Sequence, residues 1–162
     1  MDDRSIRETP IGAALARLGR RPLVVSKTTP LRDVAVACEK QPEVHVISVV
    51  DDAGALAGLL RVAALCDHLF IHVSPEEFLH DIFGPGKIEE FGRFVHARVA
   101  ADLMEEPASV SPADTVASAF QRMHDRGLEG LPVVDDQGKP LAYIDRLRLI
   151  ALWLEAHPDP ES

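Results

Sequence analysis

The segment VVDDAG at Val49–Gly54 returns as VVDDQG at Val133–Gly138, and a chain that carries the same turn twice is constrained to fold as one small unit written two times. Paired valines run into Asp-Asp-x-Gly in both copies. Two apolar residues followed by this group read as a strand entering a tight turn, because Asp and Gly accept the backbone angles that hairpin turns require. Each copy is therefore the middle of a β-hairpin.

The flanks repeat as well, which separates a duplicated unit from a chance match. Upstream, Val25-Ser26-Lys27-Thr28-Thr29-Pro30 faces Val110-Ser111-Pro112-Ala113-Asp114-Thr115, and each stretch opens a helical pattern with Thr29 or Asp114 placed as N-cap. Leu31, Val34, Ala35 and Cys38 fall on one face of the first helix, and Val116, Ala119, Phe120 and Met123 repeat the stripe in the second. Past the turn, Leu56–Leu60 corresponds to Pro140–Ile144 as a second strand, followed by helices over about Arg61–Phe70 and Asp145–Ala156. The fold class is α+β: two β-α-β-β-α units with pseudo-twofold symmetry.

Residues 1–70 form the first unit with an N-terminal lead-in helix, residues 99–157 the second, and 158–162 an acidic tail. Units of roughly 60 residues bury marginal cores alone, so the copies are expected to pack against each other. Residues 71–98 match neither copy and read as a helical insertion. Within it Ser74-Pro75-Glu76-Glu77 supplies a capping box, Gly84-Pro85-Gly86 a stop, and Ile88, Phe91, Phe94 and Val95 a second apolar face. Four of the six phenylalanines lie here, which fits either a docking surface or an intramolecular lid.

Several classes of function are disfavoured. No apolar run approaches the roughly 20 residues that cross a bilayer, and Met1-Asp2-Asp3-Arg4 lacks the shape of a signal peptide, so the expected location is cytoplasmic. A net charge of −9 argues against nucleic-acid binding, which needs many Lys and Arg to neutralise phosphates. Cys38 and Cys66 read as two buried free thiols. His68 and His72 have the i,i+4 spacing of a metal pair, but no second His or Cys pair matches them. No nucleophile elbow or phosphate-cradling glycine loop is present, so an enzyme is not expected.

The repeat resembles a tandem cystathionine-β-synthase (CBS) domain pair, or Bateman module. Val99–Pro107 is similar to the family's lead-in, Gly130-Leu131-Pro132-Val133-Val134-Asp135 to its central strand, and His45–Asp51 to a more diverged version of the same strand. The resemblance implies regulation: a module that binds an adenine nucleotide (AMP, ADP or ATP) or S-adenosylmethionine in clefts between the units, pairs into a homodimer, and adjusts a linked transporter or enzyme. It is compatible with a stand-alone chain or with the cytosolic part of a membrane protein. Carried onto this chain, it places ligand contacts at Ser26, Lys27, His45, Val46, Ile47, Arg61 and Ala64, and at Val110, Ser111, Gly130, Leu131, Pro132, Asp145 and Arg148.

The family's polar signature is Gly-x-x-Ser/Thr-x-x-Asp, whose hydroxyl reaches phosphate and whose Asp holds the ribose. The register here gives Gly58, Arg61 and Ala64 in the first unit, and Ala142, Asp145 and Arg148 in the second. Ala64 cannot hydrogen-bond a ribose, and Arg148 donates but cannot accept. Arg61 is expected to bind an anion directly, and Asp145 to repel one. The alternative is a docking or dimerisation scaffold that kept the fold and lost the ligand.

Overall fold

The computed structural model describes residues 3–71 and 88–159. The first unit runs β1 (Val24–Ser26), α3 (Leu31–Lys40), β2 (Val46–Val50), β3 (Leu56–Arg61) and α4 (Val62–Phe70), preceded by α1 (Asp3–Glu8) and α2 (Ile11–Leu18). After α5 (Ile88–Val95) and the lead-in α6 (Ala100–Leu103), the second unit runs α7 (Val116–Arg126), β4 (Gly130–Val134), β5 (Pro140–Asp145) and α8 (Arg146–Ala156). In the first sheet β1 is parallel and β3 antiparallel to β2. In the second, β4 and β5 are antiparallel, and the strand matching β1 shrinks to a single parallel bridge, Val110 to Val133.

The repeated turns are alike in detail. Asp51 Oδ1 accepts from Ala53 N and Ala55 N at 2.9 and 3.0 Å, and Asp135 Oδ1 accepts from Gln137 N and Lys139 N, both at 2.9 Å. Gly54 and Gly138 stand at φ 81° and 77°, which a side chain would strain. Even the register shift recurs, between Val49 and Val50 and between Val133 and Val134. The two tips meet, with Leu56 N donating to Gly138 O at 2.9 Å.

Helix caps differ from expectation by one residue. Thr29 Oγ1 accepts from Ser26 N and Asp114 Oδ2 from Ser111 N, so both side chains close the preceding turn. Pro30 begins α3 without a side-chain cap, and Thr115 caps α7 by accepting from Ser118 N. That helix ends on Gly127 at φ 58°, where Leu128 N reaches back to Met123 O at 2.8 Å.

The units exchange their lead-ins. Arg20 and Tyr143 share two backbone hydrogen bonds, 2.8 and 2.9 Å, and α2 packs on α8 and β5 of the second unit. Reciprocally, Glu105 and Leu59 share two, 2.8 and 3.1 Å, placing the second lead-in on β3 of the first. The first lead-in thus belongs to unit one in sequence and to unit two in space. β2 and β4 meet across the pseudo-dyad, and Ile11, Leu18, Ile47, Leu59, Leu60, Met123, Leu131, Tyr143 and Ile144 are fully buried in one shared core. At about 1.5–3 kcal/mol per buried aliphatic side chain, this exchange makes each half depend on the other.

In the insertion, α5 is held to α4 by His68 Nδ1 and Phe94 O at 2.6 Å, with the two rings edge to face. The expected capping box at Ser74–Glu77, the stop at Gly84–Gly86, and His72 lie outside the described residues. Among the described residues no cluster of His, Cys, Asp or Glu suits a metal, and no helix is long and apolar enough to cross a membrane. Both cysteines are free, but the expectation of two buried thiols fails at Cys66, which is exposed. Cys38 is half-buried, and burial, helped by the nearby Cys66, pushes its thiol up to about 11. Phe120, read as part of the α7 core stripe, is likewise exposed.

Candidate functional site

A cleft of about 400 Å³ draws on both units, lined by His45, Val46, Arg61, Val62, Ala63 and Cys66 from the first and Gly127 and Glu129 from the second. His45 and Val46 stand at the start of β2, while Arg61 ends β3 and is the N-cap of α4, so strand pairing and helix start together fix the arginine in the cleft lining. Three of the predicted residues, His45, Val46 and Arg61, meet here.

The Arg61 guanidinium is heavily engaged. Nε donates to Glu105 Oε2 at 2.8 Å and Nη2 to Glu105 Oε1 at 3.1 Å, a bidentate fork; Nη1 donates to Gly127 O at 2.7 Å and Nη2 to Arg126 O at 2.8 Å. It therefore also satisfies the last carbonyls of α7, where a cation is favoured by the helix dipole. Burial works to raise the Glu105 carboxyl, but the Arg61 hydrogen bonds and charge, joined by Arg126 at 3.4 Å, outweigh it and hold that carboxyl below its ordinary range. The hydrogen bond to Glu105 drives Arg61 the other way, upward.

At the equivalent junction of the second unit the charges are reversed. Asp145 is buried, its Oδ1 caps α8 by accepting from Arg148 N at 2.8 Å, and its Oδ2 pairs with Arg20 Nε at 3.4 Å. Arg20 and Glu105 occupy matching places in the two exchanged lead-ins, each backbone-bonded to its neighbour strand. Arg61 and Asp145, at equivalent positions of the two units, thus each carry a charge that the opposite unit neutralises. Asp145 faces a helix terminus and an arginine, which is how a carboxylate comes to be buried there.

The other predicted residues disperse. Ala64 faces a second concavity, about 220 Å³, with Arg93, Phe94, Asp102, Leu103 and Met104. Ser26 Oγ is hydrogen-bonded to the hydroxyls of Thr28 and Thr29, Lys27 N donates to Val50 O, and Ser111 lies in the turn before α7. Ile47, Leu131, Val110 and Pro132 are core residues. Gly130 lies beneath the Tyr143 ring, where an added Cβ would collide with the hydroxyl. Arg148 is half-buried on the first turn of α8, its Nε buried without a hydrogen-bond partner.

Sequence reasoning missed Glu105, Glu129, Arg20 and Tyr143, whose hydroxyl accepts from His45 N at 3.3 Å across the units. A signal was available for two of them. At equivalent lead-in positions Arg20 and Glu105 have opposite charge, and so do Arg61 and Asp145 in the opposite order.

The CBS domain family model matches residues 99–155. No curated protein matches the sequence. Solved structures do match over nearly the whole chain. A CBS domain-containing protein from Thermotoga maritima is 17% identical with a TM-score of 0.71, covering 94% of this chain and 99% of its own. CBSX2, a CBS-pair protein from Arabidopsis thaliana solved in complex with AMP, is 20% identical with a TM-score of 0.66, covering 91% and 97%. The CBS domain pair of protein MJ0100, solved with 5′-methylthioadenosine and S-adenosyl-L-methionine, is 15% identical with a TM-score of 0.65, covering 91% and 98%.

Proposed function

Because residues 99–155 are a CBS domain and the chain as a whole has the fold of a CBS-domain pair, we propose that it is a regulatory module that senses an adenine nucleotide or adenosyl ligand between its units and controls a linked transporter or enzyme. The observation that carries this reading is the shared cleft: His45, Val46 and Arg61 come from one unit, and Gly127 and Glu129 from the other. A ligand held there touches both units, so its binding energy bears on their relative orientation, the property a partner reads as a population shift. That two pairs of this fold were solved with AMP and with adenosyl compounds supports the ligand class.

A second reading is a ligand-free scaffold, favoured by the ion pairs that fill both signature positions and by the exposed apolar face of α7 and α8, where Phe120, Leu147, Ile150, Trp153 and Leu154 face outward. Thermal unfolding with adenosine, AMP, ADP, ATP and S-adenosylmethionine separates the two. A ligand at 100 times its dissociation constant adds about 2.7 kcal/mol, a shift of about 5–11 °C for a chain of this size. No shift with any member of the panel leaves the scaffold.

A further inference from the structure

We propose that Glu105, by holding Arg61, makes the shared cleft select an adenosyl ligand without a phosphate over a phosphorylated adenine nucleotide; this rests on the sensing function just proposed. Arginine offers five N–H groups. Four are committed: Nε and one Nη2 hydrogen to the Glu105 carboxylate, the second Nη2 hydrogen to Arg126 O, and one Nη1 hydrogen to Gly127 O. A single N–H is left, too few for the bidentate grip by which arginine recognises phosphate.

Charge leads to the same conclusion. Arg61 and Arg126 both bond Glu105, and Glu129 adds a second carboxylate in the cleft wall, so two cations face two anions. A phosphate entering this cleft meets no uncompensated arginine and approaches the Glu129 carboxylate. The N-terminus of α4 contributes partial positive charge, but its first amide, Val62 N, is already bonded to His45 O at 3.0 Å. An uncharged nucleoside or a sulfonium loses nothing in such surroundings, and a sulfonium gains from Glu129.

The test is calorimetric titration of the full chain with adenosine, S-adenosylmethionine and AMP, on the wild type and on Glu105→Gln. The wild type is expected to bind adenosine or S-adenosylmethionine at least tenfold more tightly than AMP. Glu105→Gln removes the negative charge and one of the two acceptors that hold the Arg61 fork, and is expected to strengthen AMP about tenfold relative to adenosine. AMP binding to the wild type as tightly as the others overturns the inference while leaving sensing in place, and so does an unchanged AMP-to-adenosine ratio in Glu105→Gln. The wild-type ordering stands as a test even if the variant does not fold. Failure of all three ligands to bind, with ADP and ATP also giving no thermal shift, removes the sensing function and this inference with it; binding of ADP or ATP alone overturns the inference and leaves sensing in place.

Discussion

Replacing Gly58 with alanine tests whether the exchanged lead-in is seated as closely as the structure shows. A Cβ built on Gly58 lies 2.7 Å from Met104 Sδ and 2.8 Å from Glu105 O. The thioether can swing away; the carbonyl cannot, because Glu105 O accepts from Leu59 N at 3.1 Å while Glu105 N donates to Leu59 O at 2.8 Å. Overpacking costs about 1–3 kcal/mol, and loosening two backbone hydrogen bonds adds about 0.5–1.5 kcal/mol each. The lower entropy of the unfolded chain returns about 0.4–1 kcal/mol. The net expectation is a loss of about 3 kcal/mol, or about 6–12 °C in Tm for this length. The second unit supplies the control: Ala142 holds the equivalent place without conflict, and the lead-in residue matching Met104 is Gly19, which has no side chain to meet it. Differential scanning calorimetry of Gly58→Ala measures the effect. A Tm within 1 °C of wild type, or above it, refutes the close seating of Glu105 and with it the geometry that locks Arg61.

Three further outcomes are expected. Tyr143 is the single tyrosine, and burial pushes its phenol up to about 12, so absorbance near 295 nm should titrate there in the native protein and near 10 in urea; the stability it contributes is whole below 10 and lost as pH rises toward 12. The Glu105 carboxyl is held below its ordinary value of 4.5, so its contribution is whole above 4.5 and lost as pH falls through the lower folded value; urea melts from pH 7 to 3 should show that acid loss diminished in Glu105→Gln. Ile150→Glu, at an exposed position on the apolar face of α8, should convert the proposed homodimer to a monomer in sedimentation at micromolar concentration; a wild-type monomer removes the dimer, and an unchanged dimer moves its interface elsewhere.

What could be read from the chain follows from how far apart the cooperating residues lie. The doubled turn was legible because Asp51 and Asp135 bond amides two and four residues on, a local device that leaves a local signature. The inward stripes Leu31/Val34 and Val116/Ala119/Met123 were legible from helical period; Phe120, at the edge of its stripe, was not, because its burial depends on what lies beside α7. The state of Arg61 was hidden for the same reason. Its partner is 44 positions away, in a lead-in that crosses to the opposite unit, and only the paired reversal of Arg20 with Glu105 and Arg61 with Asp145 hints at the crossing. Sequence alone distinguishes a charge that is free for a ligand from one already answered only when the answering residue is close by.

The reversed ion pairs also bear on which halves find each other. Each unit is built to receive the lead-in of the other, and the two resemble each other enough for like to meet like. A first unit docked on another first unit would set Arg20 against Arg61; two second units would set Glu105 against Asp145. Only the mixed pairing brings opposite signs together at both junctions. In a crowded cell, where several copies of this chain emerge together, that polarity favours the union of dissimilar halves and disfavours mispaired assemblies of identical ones. A duplicated fold is thereby given a handed lock and key, written in four residues.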